Sequence, residues 1–313
     1  MDPVILAGSA HPSLARAIAE RLGVAQGACL LQRFPDGEIQ VELQRTVRGQ
    51  DVYLVQPTSP PVETHLLELL LIADACRRAG GDTVTAVVPY FGYARQDRRA
   101  GKRSPVGARL VADLMAAAGI GRVVAVHLHA PAIEGFFAVP IEHLAAAPLL
   151  IEALDEATDD NYVVVAPDLG AARLADGFGV ALGLPVAMVH KTRVSGAEVT
   201  ATGITGDVRG RRPIVVDDMV TTGGTVVAAI EAVLAAGALP EVTLVATHGL
   251  FVGAAARRLS ALPIRQIIVT DSVPLQRETF AVPPVVVSLG PLLADAIERL
   301  HSQRSLSDLL RET

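Results

Sequence analysis

The sequence predicts an α/β protein made of two tandem, similar domains, each a mainly parallel sheet flanked by helices. Three observations lead there. Short aliphatic runs alternate with amphipathic helical stretches almost from end to end, which is the pattern of βα units. Half of the 313 residues are hydrophobic, yet aromatics are scarce and Trp is absent. The cores must therefore be built from Ala, Val, Leu and Ile, which suits parallel strands buried on both faces. The order of elements also repeats at an offset of about 160 residues, an internal-duplication signal. The length itself fits about two domains of roughly 150 residues each.

The aliphatic runs predict strands at 4–7, 52–56, 84–89, 123–126, 163–166, 186–189, 213–216, 242–247, 267–270 and 285–288. Helices are predicted between them at 12–22, 63–78, 105–118, 170–182 and 225–236. Several of these stop at a glycine: Gly23, Gly80, Gly119, Gly183 and Gly237, the usual C-terminal signal. In the repeat, strand 4–7 with its helix matches strand 163–166 with its helix. The strand from Val52, the helix to Ala79-Gly80 and the strand from Val84 match the strand from Ile214, the helix to Ala236-Gly237 and the strand from Val242. The copies are expected to span 1–147 and 148–285, joined near 145–160, where the acids Asp155, Glu156, Asp159 and Asp160 read as exposed loop. The last strand and helix, within 286–313, are expected to return to the first domain. In open α/β sheets ligands bind beyond the carboxyl ends of strands. The active site is accordingly expected between the two domains.

The net charge of −6 argues against a general nucleic-acid or anionic-membrane binder. Cys29 and Cys76 are too few for a disulfide framework and read as buried free thiols. Met1, Asp2 and Pro3 lack the basic flank of a signal peptide, and no apolar run approaches ~18 residues. The stretch 66–73 is interrupted by Glu68 and reads as a buried helix. A cytoplasmic location is the expectation.

The two copies differ after the matching strands. The second reads Asp217-Asp218-Met219-Val220-Thr221-Thr222-Gly223-Gly224-Thr225, whereas the first reads Gln56-Pro57-Thr58-Ser59-Pro60-Pro61. Gly223 and Gly224 let backbone N–H groups approach an anion where a helix begins, and Thr221, Thr222 and Thr225 add hydroxyl donors. No Lys follows the glycines, so this is not a Walker A loop. Asp217 and Asp218 would repel a phosphate on contact but can accept hydrogen bonds from vicinal sugar hydroxyls. A phosphate cradle beside two hydroxyl acceptors describes a ribose 5-phosphate site. The bland alternative is a strand–turn–helix capped by Asp and Thr.

The segment 215–225 resembles the phosphoribosyl-pyrophosphate (PRPP) binding motif of type I phosphoribosyltransferases, which implies phosphoribosyltransferase-like domains. Phe34-Pro35-Asp36-Gly37-Glu38, Gln56-Pro57-Thr58-Ser59-Pro60-Pro61, the run from Pro89 to Arg98, and 127–142 around Gly135-Phe136-Phe137 are similar to ribose-phosphate pyrophosphokinases over essentially the full length. The resemblance implies transfer of the diphosphate of ATP to ribose 5-phosphate with Mg²⁺, and a homo-oligomer built from dimers, up to a hexamer. It implies that Phe34, Asp36 and Glu38 contact adenine in a neighbouring subunit's site, and that Arg95, Gln96, Asp97 and Arg98 hold the nucleotide. The cluster of Arg95, Arg98, Arg99, Lys102 and Arg103 is also what a polyphosphate needs, the other reading of its charge being a solvated basic loop or a nucleic-acid patch. His129 and Asp168 match metal-contacting positions, and His129 the nucleotide site as well. Lys191 and Arg193, read by themselves as surface cations, match the catalytic basic pair on a flap. Thr46, Arg48 and Arg103 resemble parts of a phosphate/ADP regulatory site, while Ser305 and Ser307 lie in a C-terminal tail only partly similar to the family's.

The sequence departs from the common bacterial and animal pattern at His127, Ala132, Ala138, Glu142, Leu169 and Thr221. The triplet Lys191-Thr192-Arg193 and the Thr-Gly-Gly-Thr loop look more like the archaeal class. Two other readings follow: a non-catalytic family member that regulates a partner, and a phosphoribosyltransferase that consumes PRPP. The second would lack the motifs at 34–38 and 95–98.

Overall fold

The computed structural model describes residues 2–154, 161–193, 199–275 and 280–310, with backbone alone between 191 and 202. The chain divides into two compact units, residues 1–145 with 272–274 and 288–311, and residues 146–271 with 275–287 and 312–313.

The first unit runs β1 (Val4–Ala7), α1 (Pro12–Arg21), β2 (Cys29–Arg33), β3 (Ile39–Leu43), β4 (Asp51–Val55), α2 (Val62–Arg78), β5 (Thr83–Val88), α3 (Gly107–Ala117), β6 (Arg122–Val126), a 3-10 turn (Pro131–Phe136) and β7 (Ile141–Leu144). Its five-stranded sheet is parallel throughout, in the order β1-β4-β5-β6-β7. Leu54, Leu69, Ile72, Phe91 and Met115 are wholly buried in one apolar cluster against it. Each such side chain contributes about 1.5–3 kcal/mol by leaving water. β2 and β3 form a separate antiparallel hairpin, with register Cys29↔Leu43 to Arg33↔Ile39.

The second unit runs α4 (Ala147–Glu152), β8 (Tyr162–Ala166), a 3-10 turn (Leu169–Ala171), α5 (Ala172–Leu182), β9 (Val186–Arg193), β10 (Val199–Thr205), β11 (Arg212–Val220), α6 (Gly224–Ala235), β12 (Val242–Gly249), α7 (Ala255–Ser260), β13 (Ile264–Thr270) and β14 (Val285–Val287). Its seven-stranded sheet has the order β10-β9-β8-β11-β12-β13-β14, with only β10 antiparallel to its neighbour.

The duplication is visible in the topology. The order β8-β11-β12-β13-β14 reproduces β1-β4-β5-β6-β7, strand for strand and all parallel. The copies part where β9 joins β8 and carries β10 with it, whereas the matching pair β2–β3 stays off the first sheet. The helix-ending glycines behave as the sequence requires. Gly23, Gly80, Gly119, Gly183 and Gly237 have φ of 70°, 80°, 97°, 68° and 96°, a region that costs any other residue. The C-terminal helix α8 (Gly290–His301) belongs to the first unit and packs on α1. Its end is tied there by His301 Nδ1, 2.9 Å from Asp51 Oδ2.

Several boundaries differ from expectation. β11 does not end at Val216 but runs to Val220, because β12 extends alongside it and pairs Met219↔His248 and Val220↔Gly249. Asp217 and Asp218 therefore lie within a strand. β9 extends past Val189 through Arg193, paired with β10, so Lys191 and Arg193 are strand residues rather than the residues after one. The joining region is partly helical at α4, while the acids at 155–160 lie outside the described residues. The terminal helix ends at His301, within the expected 286–313.

Candidate active site

In the second unit the predicted residues gather at the carboxyl ends of three adjacent strands, β9, β8 and β11. Asp217 is buried and Asp218 half-buried. The Asp218 N–H donates to Asp217 Oδ1 at 2.9 Å. Burial, first of all, pushes the Asp217 carboxyl well above its ordinary value, and the neighbouring charges of Asp218 and Asp168 push the same way. These three carboxylates therefore share one electrostatic environment. The pair resists carrying two negative charges in the ligand-free protein, and hydroxyl donors would relieve it.

Beyond β11 the loop is held by backbone bonds from the next connection: Phe251 N–H donates to Val220 O (2.9 Å) and Val252 N–H to Thr221 O (3.0 Å). Arg258 donates to Thr222 O at 3.2 Å. Gly223 takes φ 76° at the N-cap of α6 and provides no side-chain cap. The first turn of α6 thus opens with N–H groups and the positive end of the helix dipole. Thr221, Thr222, Gly223, Gly224 and Thr225 form one short stretch around that opening.

Asp168 sits just after β8 and caps the following 3-10 turn, its Oδ1 accepting from Gly170 N–H at 3.0 Å. Leu169, beside it, is 78% exposed. The backbone of β9 carries Lys191 and Arg193 at the same edge, while their side chains lie outside the described residues.

In the first unit the loops after the paired strands β5 and β6 carry the nucleotide candidates. The loop after β5 is anchored by Thr58: Gly92 N–H donates to Thr58 Oγ1 at 2.6 Å, and Thr58 N–H to Tyr90 O at 2.9 Å. A Cβ on Gly92 would lie 2.5 Å from Thr58 O, so only glycine fits this approach. The chain then turns at Tyr93 with φ 65° and presents Arg95, Gln96 and Arg98 to solvent, with Asp97 half-buried. Arg98 pairs loosely with Asp97 at 3.5 Å. Arg99, Lys102 and Arg103 are also exposed. After β6, His127 takes φ 43°, Leu128 is buried, and His129 is exposed. Phe91 and Phe137, 5.5 Å between ring centroids, join the two loops.

Phe34, Asp36 and Glu38 are exposed at the tip of the β2–β3 hairpin. The tip is closed by Phe34 N–H to Glu38 O (2.9 Å), Gly37 N–H to Phe34 O (2.8 Å) and Glu38 N–H to Asp36 Oδ1 (3.1 Å). Thr46 and Arg48 are exposed after β3. Glu142 is half-buried in an ion pair with Arg122.

A buried network below this edge was not anticipated. Glu68 accepts from Ser9 N–H (3.1 Å), Ser9 Oγ (2.6 Å) and Gln56 Nε2 (2.9 Å). Gln56 Oε1 accepts from Ala10 N–H at 3.1 Å, and its Nε2 also donates to His65 O at 3.2 Å. His65 Nδ1 lies 2.7 Å from Ser59 O. The network welds the loops after β1 and β4. In the first copy these side chains pack the place where the second copy keeps an open glycine loop. The signal was a lone carboxylate inside an apolar helix. Among the described residues, no three His, Cys, Asp or Glu side chains converge as a metal cage, and no helix is long and apolar enough to cross a membrane.

Residues 3–119 match the family model described as the N-terminal domain of ribose phosphate pyrophosphokinase, and residues 194–311 the phosphoribosyl synthetase-associated domain. A ribose-phosphate pyrophosphokinase of Caldanaerobacter subterraneus is 43% identical over 306 residues, covering 97% of this chain and 96% of the relative. One from Bacillus subtilis is 40% identical over 301 residues, covering 96% and 95%. The crystal structure of phosphoribosylpyrophosphate synthetase from Mycobacterium smegmatis superposes with a TM-score of 0.90 at 38% identity, covering 97% of this chain and all of that one. With its sheet order, its glycine loop and this near-full-length likeness, the chain belongs to the ribose-phosphate pyrophosphokinase family.

Proposed function

We propose that this chain transfers the β,γ-diphosphate of ATP to the C1 hydroxyl of ribose 5-phosphate, giving PRPP and AMP. The observation that carries this reading is that the two copies of one duplicated scaffold carry different sets of ligand-binding residues. One copy holds an uncapped helix N-terminus behind Asp217 and Asp218, and the other an exposed basic loop at 95–103 beside His129.

Thr221 to Thr225 cradle the 5-phosphate, and Asp217 and Asp218 accept the ribose hydroxyls. Arg95, Gln96, Asp97 and Arg98 hold the nucleotide, and Phe34, Asp36 and Glu38 contact adenine from a neighbouring subunit of a dimer-based homo-oligomer. His129 and Asp168 are the positions for Mg²⁺. The Asp168 carboxylate suits that ion, which is usually bound through one or two carboxylates plus substrate phosphates rather than by an all-protein cage. When bound, the ion neutralises charge on the phosphate oxygens. Phosphoryl transfer is catalysed mainly by positioning and electrostatic stabilisation, so no covalent nucleophile is required. The reaction is an in-line attack of the C1 hydroxyl on the β-phosphorus, with AMP leaving. Lys191 and Arg193 offset the charge that develops on the transferring group. Thr46, Arg48 and Arg103 are the candidates for phosphate or ADP regulation. The setting is cytoplasmic nucleotide biosynthesis.

The test is formation of AMP and PRPP from ATP, Mg²⁺ and ribose 5-phosphate. Product supports an enzyme. No AMP release favours the non-catalytic regulatory reading, while PRPP consumption with a free nucleobase and no ATP identifies a phosphoribosyltransferase.

A further inference from the structure

The segment carrying His129 is held in an unusual way. His127 has φ 43°, a left-handed conformation uncommon for any residue but glycine, and such backbone persists only where its surroundings over-determine it. Two consecutive bonds from β7 do so here. His127 N–H donates to Leu144 O at 3.0 Å, and Leu128 N–H donates to His143 Nε2 at 2.8 Å. His143 Nδ1 lies 2.8 Å from Glu134 Oε1. The His143 side chain is 11% exposed and that of Glu134 46%.

The chemistry of these bonds fixes the tautomer. A backbone N–H can only donate, so His143 Nε2 must present its lone pair, and the ring proton sits on Nδ1, where it donates to Glu134. One imidazole thus grips the 128–134 segment at both ends, at Leu128 and at Glu134. His129 stands inside that span, with the buried side chains of Leu128 and Ile133 on either side of it.

We propose that His143 is a positioning residue for His129: its neutral, Nδ1-protonated ring fixes the strained turn from which His129 is presented, and Glu134 fixes the ring. The inference rests on the assignment of His129 to the nucleotide and metal site. A backbone pin of this kind acts on the geometry of one reacting group. Its loss therefore falls on turnover rather than on ribose 5-phosphate binding, whose residues belong to the other unit.

The test uses the full chain and four variants: His143→Leu, His143→Gln, Glu134→Ala and the double variant Glu134→Ala/His143→Gln. Long-range ¹H–¹⁵N spectra of the histidine-labelled wild type, with His143→Gln for assignment, should show His143 protonated at Nδ1 and not at Nε2. His143→Leu should lower kcat by about 10- to 100-fold, the usual effect of losing an outer partner of a site residue. The ribose 5-phosphate KM should move less than about twofold under the same reasoning, since uniform binding is untouched. Gln keeps an acceptor at similar reach, so His143→Gln should recover most of the turnover. Glu134→Ala, a change at a half-exposed side chain that leaves the fold intact, should lower kcat in the wild-type background and do nothing in the His143→Gln background. A ring protonated at Nε2, equal losses in the Leu and Gln variants, or a Glu134→Ala effect that is the same in both backgrounds overturns the proposal. Absence of wild-type turnover would instead count against the enzyme reading, while the spectrum still decides the hydrogen bonds.

Discussion

Replacing Glu68 with Leu should unfold the first unit at markedly lower denaturant. Glu68 is 6% exposed and accepts three hydrogen bonds, from Gln56 Nε2, Ser9 N and Ser9 Oγ. Gln56 is wholly buried. It keeps its bond to His65 O, but the donor aimed at Glu68 is orphaned, at a cost of about 1–3 kcal/mol. Ser9 is exposed, so water can replace its two bonds, and each contributes only about 0.5–1 kcal/mol. Together these give a loss of about 2–5 kcal/mol, concentrated in the first unit. Glu68→Gln keeps one acceptor and should lose about half as much. With no Trp in the chain, the transition is best followed in urea by circular dichroism and by thiol labelling. Both cysteines lie in the first unit, so labelling reports that unit specifically. A Glu68→Leu loss below about 1 kcal/mol would refute the claim that this network holds the loops after β1 and β4.

Other consequences are equally direct. In the folded protein Cys76 should resist thiol reagents at pH 8 and Cys29 should react slowly, because burial pushes their thiols to about 12 and about 11; fast labelling of Cys76 without denaturant would contradict that packing. Asp217 has a raised folded-state value, so its contribution to stability is fully present below its ordinary value of 3.8 and is lost as pH rises through the folded value. Asp217→Asn should therefore make the ligand-free protein more stable than wild type near pH 7, with the difference shrinking towards pH 4 in thermal melts, while lowering turnover. An unchanged difference across that range would contradict the assigned burial and like-charge repulsion. Lys191→Ala should cut kcat by about 10²-fold or more, as loss of a transition-state charge partner does, with ribose 5-phosphate binding by calorimetry mostly intact. Normal turnover would remove Lys191 from the site.

Much of the architecture was legible because the chain states it twice. Aliphatic runs, glycine stops and the repeat recover four of the five common strands of the first copy and all five of the second. What failed depended on pairing. Asp217 and Asp218 look like loop residues, yet β12 extends beside them and makes strand of them. The hairpin β2–β3 was missed although Pro35-Asp36-Gly37 is a turn signal and Ile39–Leu43 alternates in character, because its strands are short and half-exposed. β7 is four residues long and carries Glu142 and His143, so it offers no aliphatic run.

The site shows the same division. Residue types such as the glycine loop, the acids and the basic run can be read in one dimension. The bonds that position them cannot, since Glu68 reaches back 59 residues to Ser9 and His143 reaches back 15 to Leu128. Glu142, read as a departure from the common bacterial and animal pattern, is engaged with Arg122.

The most direct test of the account is the stoichiometric appearance of AMP and PRPP from ATP, Mg²⁺ and ribose 5-phosphate, measured with and without inorganic phosphate. The account predicts product in equal amounts of each, with any phosphate dependence abolished by changes at Arg48 or Arg103. ADP in place of AMP, or no PRPP under either condition, would contradict it.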